Sequence, residues 1–256
     1  MNFFDATILG LVEGLTEFLP ISSTGHMILA STFLKLPDQE FLKTFEISIQ
    51  LGAIMAIVFL YARKFISNLE MYKKLIVAFM PTALIGFAFY KIIKTYLFSP
   101  LVVAIALIIG GIVLIILDKK IISANSKYNN LEQITYKNAF MIGLIQCISM
   151  IPGISRAAAT ILGGVYNGFN KKQATEFSFL LAVPTMFAAT GYDLLKTPIT
   201  ITSHELQVFA VGFIVAFLSA WLAVKLFLKF IEKYGFKYFG YYRIVLGVIF
   251  LWFFLA

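Results

Sequence analysis

Apolar residues fill the chain in long uncharged runs, and short polar tracts set the intervals between them. The runs cover Ile47 to Ala62, Leu75 to Tyr90, Leu97 to Leu117, Phe177 to Tyr192, Leu206 to Val224 and Ile244 to Ala256. A hydrocarbon core about 30 Å thick takes roughly 20 helical residues to cross. The runs therefore predict six transmembrane helices. The shorter ones borrow flanks such as Leu42 to Glu46 or Phe239 to Arg243, whose long side chains snorkel. Two further stretches, Ala6 to Thr32 and Ala139 to Val165, are apolar but broken in the middle, by Pro20 and by Pro152-Gly153, amid small polar residues. Each reads as a re-entrant helical hairpin, because irregular backbone at membrane depth is tolerated only inside protein. The expected fold is an all-α polytopic membrane protein.

The cations orient this scheme. Segments 62–74, 118–137, 171–176 and 225–243 hold 15 Lys and Arg between them, against 5 in segments 35–43, 91–99 and 193–205, with Arg156 apart. Cytoplasmic loops carry the positive excess. The two sets alternate along the chain if there are six crossings and both broken stretches return to the side they entered; eight crossings spoil the alternation. Both termini and the loops 35–43 and 193–205 are then expected on the outer face.

Composition agrees. Of 256 residues 60% are hydrophobic and 13% charged, against about a quarter charged in an average soluble domain, and the mean hydropathy is +0.89. A small globule cannot hide that much apolar surface from water, so the bilayer is the expected partner. The net charge of +8 follows from topology and implies no nucleic acid. Cys147 is alone, which excludes an intrachain disulfide framework and a Cys-rich metal site. Asp5, Glu13 and Glu17 lie in the first apolar stretch with no basic region before it, unlike a cleaved signal peptide. Retention of the whole chain is the expectation.

A shift of 133 residues lays Gly10-Leu11-Val12-Glu13 over Gly143-Leu144-Ile145-Gln146, Thr16 over Ser149 and Ile21-Ser22 over Ile154-Ser155. With a slip of three, Glu46 to Leu51 falls over Glu176 to Leu181. Hairpin plus following span thus recurs as a unit, and the cation count makes the copies inverted. The expectation is one membrane domain, 1–256, with inverted-repeat halves of roughly 1–117 and 138–256. Such halves commonly build a polar site near the bilayer midplane.

Charge inside the membrane is costly and points to function. Glu13 and Glu17, four residues apart in an apolar helix-like run, share one face. Close carboxylates serve as general acid or base, or as hard oxygen ligands for a divalent ion. After Pro20, Ile21-Ser22-Ser23-Thr24-Gly25-His26 reads as a loop feeding a helix N-terminus, with amides and hydroxyls for an anion or a plain N-cap. In the second break, Pro152-Gly153-Ile154-Ser155-Arg156 opens another helix. Its arginine forks a phosphate or carboxylate ligand, or pairs with Glu13 or Glu17. Together these groups suit a phosphate attached to something hydrophobic.

The segment Gly10-Leu11-Val12-Glu13-Gly14-Leu15-Thr16-Glu17-Phe18-Leu19-Pro20-Ile21-Ser22-Ser23-Thr24-Gly25-His26 resembles the first signature of the undecaprenyl pyrophosphate phosphatases of bacterial envelopes, also called bacitracin-resistance proteins. Pro152-Gly153-Ile154-Ser155-Arg156 with Thr160 resembles their second, and Thr44 to Gly52 and Glu176 to Pro184 also look like family segments. One departure removes a hydroxyl: Ala157-Ala158 stands where the family usually has Ser-Gly. The resemblance implies hydrolysis of undecaprenyl diphosphate to the monophosphate and inorganic phosphate. That reaction recycles the lipid carrier for peptidoglycan synthesis and gives bacitracin resistance, in the bacterial cytoplasmic membrane, with a site open to the outer face. It further implies Glu17 and Ser23 as catalytic pair, Glu13 supporting base chemistry or, with Glu17, a divalent cation (Mg or Ca), and Arg156 clamping the diphosphate. Ser22, Thr24, Gly25, Gly153, Ser155 and Thr160 would line the phosphate pocket, with His26 a proton carrier or binding residue. No organic cofactor is expected, and no oligomeric state follows. Attack by Ser23 or by a water held at Glu17 both remain open. So does a second function, transport of a polyprenyl phosphate between leaflets through the same inverted-repeat site.

Overall fold

The computed structural model describes residues 1–37, 40–67, 69–92, 99–123, 125–196 and 202–255, and among them finds helices and no strand. Among the described residues six helices are long and apolar enough to cross a membrane. They are α3 (Glu40–Leu60), α5 (Leu69–Ile92), α6 (Pro100–Ile122), α9 (Lys171–Lys196), α10 (Ser203–Tyr234) and α11 (Lys237–Leu255). All six expected runs are found, each lengthened into its polar flank where the apolar stretch is short: α3 starts seven residues before Ile47 and α11 seven before Ile244. Parts of the loops expected on the outer face, 38–39, 93–98 and 197–201, and the final Ala256 lie outside the described residues.

The two broken stretches form pairs of short helices, α1 (Phe3–Thr16) with α2 (Ser23–Phe33), and α7 (Tyr136–Gln146) with α8 (Arg156–Tyr166). A short α4 (Ala62–Ser67) joins α3 to α5. At about 1.5 Å per residue, α1, with 14 residues, and α2, α7 and α8, with 11 each, fall well short of a bilayer. Local chemistry sets their ends. Asn2 and Asp5 form a reciprocal capping box at α1, while Thr135, Ser22 and Ser155 cap α7, α2 and α8 through their hydroxyls, each supplying an acceptor that a first-turn amide lacks.

Packing follows small residues. α1 lies on α10, and a Cβ at Gly14 would stand 2.4 Å from the Ala216 carbonyl oxygen. α7 lies on α5, where a Cβ at Gly143 would stand 1.9 Å from the Ala78 carbonyl oxygen. In lipid no hydrophobic force drives helices together, so such backbone approach supplies the dispersion that does. α10 also packs on α3, α5 on α9, and α6 pairs with α11. The outward faces carry Leu84, Phe87, Ile116 and Trp252, all largely exposed, as expected of side chains whose solvent is lipid. The main core runs under the first break, where Phe18 is buried and meets Phe179 edge-on at 5.6 Å.

One expectation fails. Arg243, read as a flanking cation that snorkels, is wholly buried. Its helix begins six residues earlier and carries it into the protein, where backbone carbonyls replace the water that snorkelling would have reached.

Candidate active site

The breaks after α1 and α7 bring two helix N-termini to one place. Ser22, the N-cap of α2, has φ 71° and ψ 94°, a left-handed backbone that costs a non-glycine residue about 1–3 kcal/mol and persists only where its surroundings enforce it. Its carbonyl accepts from His26 Nδ1 at 2.7 Å and its hydroxyl from the Gly25 amide at 3.5 Å. In the second break the positive φ, 93°, falls on Gly153, where a Cβ would also stand 2.6 Å from the Val103 carbonyl oxygen. Ser155 caps α8 through the Ala158 amide at 3.2 Å and donates to the Leu19 carbonyl at 3.2 Å, which ties one break to the other.

Glu17 sits at the junction. One carboxylate oxygen accepts from Ser23 Oγ at 2.5 Å, and the other pairs with Arg156 Nη2 at 3.0 Å. Arg156 also donates from Nη1 to the Ser178 carbonyl at 3.0 Å, and its guanidinium lies 5.5 Å from the centre of the Phe18 ring. Its Nε is buried with no acceptor. Ser23 and Arg156 are the first residues of α2 and α8, so the opening amides of both helices, unpaired within their own helices, belong to the same neighbourhood. Amides, a hydroxyl and a guanidinium together are the donors that an anion site requires.

Glu13 is fully buried, its carboxylate lies within hydrogen-bonding reach of that of Glu17, and no nitrogen or hydroxyl donates to either of its oxygens. Glu17, Glu46 and Arg156 are its charged surroundings. An ionised carboxylate so placed needs a cation or ordered water as partner. Among the described residues no group of three or more His, Cys, Asp or Glu is placed to hold a metal ion. A divalent ion at Glu13 and Glu17 would thus draw its remaining ligands from substrate oxygens and water, as magnesium commonly does.

The other expected site residues are placed as follows. Thr24 and Gly25 occupy the first turn of α2, half-buried and buried. Thr160 is buried a turn inside α8, its hydroxyl shared between the Arg156 carbonyl at 2.8 Å and Ser178 Oγ at 2.6 Å, so that it fastens α8 to α9. His26 turns away from Glu17 and Ser23. Its Nε2 meets the Tyr242 hydroxyl at 2.7 Å, and the two rings stack at 5.5 Å. With Nδ1–H donating to a carbonyl, a neutral ring accepts at Nε2 from the tyrosine. Glu46 lies on α3 near Glu13, whereas Glu176 pairs with Lys64 at 2.5 Å. Sequence reading missed Tyr242, Ser178 and Arg243. Arg243 carried a signal as a charge at the edge of an apolar run, and Ser178 lay in a segment that resembles the family, whereas Tyr242 carried none.

Comparisons with known proteins place the whole chain among named relatives. A family model described as bacitracin resistance protein BacA matches residues 6–249. A Wolinella succinogenes protein named undecaprenyl-diphosphatase is 53% identical over 99% of this chain and 98% of its own length. Proteins of the same name from Bdellovibrio bacteriovorus and Aquifex aeolicus are 50% and 47% identical; the first match covers 98% of this chain and 95% of that protein, and the second covers both in full.

Proposed function

The chain belongs to the bacitracin resistance protein BacA family, and we propose that it hydrolyses undecaprenyl diphosphate to undecaprenyl phosphate and inorganic phosphate, a multi-pass membrane phosphatase that recycles the lipid carrier and gives bacitracin resistance. The observation that carries the reading is the sharing of one carboxylate, Glu17, by a hydroxyl nucleophile and a guanidinium from opposite breaks. A transporter needs the anion site but has no use for a hydroxyl held on a base, and the transport reading finds no support here.

The mechanism starts from the 2.5 Å Ser23–Glu17 contact. Glu17 takes the Ser23 proton as Oγ attacks the terminal phosphorus. The bond from that phosphorus to the bridging oxygen breaks, undecaprenyl phosphate leaves, and a phosphoseryl group remains. Glu17 then passes its proton to the departing phosphate oxygens, and ionised again, accepts one from the water that attacks the phosphoseryl phosphorus. That attack breaks the bond to Oγ, Ser23 regains a proton, and inorganic phosphate is released. Arg156 and the first amides of α2 and α8 are set in advance where charge develops on the equatorial oxygens, and such preorganisation is commonly the largest catalytic contribution. The unpartnered Nε of Arg156 is a donor awaiting an oxygen. Glu13, with its unmet oxygens, would hold a divalent cation, with Glu17 beside it, and such an ion would neutralise phosphate charge there.

The fold supports the inverted-repeat reading, with halves near 1–117 and 138–256. α1 rests on α10 as α7 rests on α5, and α3 meets α10 as α9 meets α5, which is the exchange of partners that duplicated halves produce. The four short helices then enter and return as two hairpins. The excess of cations on the opposite side supports a site open to the outer face of the cytoplasmic membrane.

The test is phosphate release by the detergent-purified protein from a polyprenyl diphosphate and, in parallel, from soluble pyrophosphate. Lipid-selective release by the wild type, lost in folded Glu17→Gln and Arg156→Ala, is the expected result, together with labelled phosphate trapped on Ser23 during turnover. Absence of release with divalent cations present would refute the hydrolase, and full activity in Ser23→Ala would refute the phosphoseryl step.

A further inference from the structure

Arg243 has no part in the chemistry above, yet it is among the largest fully buried side chains of the protein. From α11 its Nε donates to the Leu107 carbonyl at 3.3 Å, and its Nη2 to the carbonyls of Ala106 at 3.1 Å and Gly153 at 2.9 Å. Its Nη1 donates to the Pro20 carbonyl at 3.1 Å. None of the four acceptors is a carboxylate. Two lie on α6 and two lie in the breaks, one in each.

The pair in the breaks is not arbitrary. Pro20 and Gly153 are equivalent under the 133-residue shift, and each stands two residues before the serine that caps the next helix. One residue beyond those caps are Ser23 and Arg156, which meet on Glu17. We propose that Arg243 is a positioning residue for the phosphatase reaction. Its guanidinium staples equivalent carbonyls of the two breaks to each other and to α6, and so sets the spacing between the nucleophile and the phosphate-binding arginine. The kinetic part of this inference rests on the phosphatase reading; the staple itself does not.

Physical chemistry favours a guanidinium here. A broken helix leaves carbonyls without amide partners, and at membrane depth each is costly. A planar fork of five donors reaches acceptors in several directions at once, whereas a lysine offers three donors from one point. Space has been kept for it: a Cβ at Gly110 on α6 would stand 2.1 Å from Arg243 Nη2 and 2.7 Å from its Cζ.

The test compares full-length wild type, Arg243→Lys and Gly110→Ala in detergent. Gly110→Ala displaces the native arginine without changing any charge, and it carries the test if Arg243→Lys does not fold. Three readouts are taken: turnover of a polyprenyl diphosphate, thermal midpoint and amide exchange. In both variants we expect kcat to fall at least about tenfold with KM within about threefold, the pattern of a group needed in the transition state rather than for binding. Amide exchange across 17–25 and 151–158 should quicken together. In an Arg156→Lys background, adding Arg243→Lys should cost less than about a further threefold, because residues acting through one geometry are not additive. Losses that multiply in both backgrounds would mark a general packing defect and overturn the proposal. Wild-type kcat and wild-type exchange in Arg243→Lys and Gly110→Ala would also overturn it. Phosphate release by the wild type judges the phosphatase reading separately, and if there is none, exchange in the two breaks still decides the staple.

Discussion

The two breaks have one plan and two chemistries. Each follows a short helix seated by a glycine, Gly10 on α10 or Gly143 on α5, and each carries one positive φ, at Ser22 or Gly153. Each opens the next helix with a serine cap, Ser22 or Ser155, and each gives a carbonyl to Arg243. The polar positions then diverge. Where the first has Glu13, Glu17 and Ser23, the second has Gln146, Met150 and Arg156. Gln146 is as buried as Glu13, and its Oε1, like both Glu13 oxygens, meets no donor, but its amide nitrogen donates to Thr82 Oγ1 at 2.6 Å and Thr185 Oγ1 at 3.3 Å. The difference teaches a division of labour: the first break carries the acidic groups, with both oxygens of Glu13 unmet, and the second supplies the cation and a neutral amide whose nitrogen is bonded, leaving Gln146 Oε1 and Arg156 Nε without partners.

Erasing the acid of the first break should have the largest effect. Glu17→Gln removes the base and half the anchor of Arg156, and kcat/KM for polyprenyl diphosphate should fall by about 10² to 10⁴, the usual worth of a positioned general base. Next comes the cation of the second break. Arg156→Lys keeps the charge but not the fork that spans Glu17 and Ser178, and a loss of about 10- to 100-fold in kcat/KM is expected. An unchanged rate in steady-state phosphate release would remove Arg156 from the site.

Exchanging residues between the two breaks sharpens the comparison further. Glu13→Gln, which copies Gln146, should slow turnover about tenfold and flatten its dependence on added divalent cation, since the unmet oxygens are then gone. Gln146→Glu places an unpaired carboxylate at the matching buried position, and a loss of about 3 kcal/mol in stability is expected, read as a lowered thermal midpoint. A midpoint equal to wild type would mean that the two positions are not physically alike. The smallest effect is reserved for Tyr242→Phe. It frees His26 Nε2 and should change kcat by less than about fivefold, a single neutral hydrogen bond being worth about 1 kcal/mol.

Much of the protein was legible in the chain because it depends on local properties. Six apolar runs became six long helices since length and hydropathy act within one segment. Pro20 and Pro152-Gly153 broke helices where backbone sterics require it, and Ser22 and Ser155 capped the helices that followed. Glu17, Ser23 and Arg156 were visible as costly or chemically apt groups in an apolar setting, and they do come together. Thr160 was read as lining the phosphate pocket, yet its hydroxyl is engaged by Arg156 and Ser178. A hydroxyl beside a motif carries no sign of whether it faces a ligand or its own helix.

The sequence by itself determined where the helices run, where they break, and which few charged groups lie at membrane depth, because each follows from residues close together in the chain. Tertiary structure alone decided that Arg156 pairs with Glu17 and leaves Glu13 unmet, that His26 faces Tyr242, and that Arg243 leaves the bilayer edge to join Pro20 to Gly153. Those outcomes depend on how each helix is rotated against partners far away in the chain. That rotation is set by close packing at positions such as Gly14, Gly110 and Gly143, which a run of small residues does not by itself disclose.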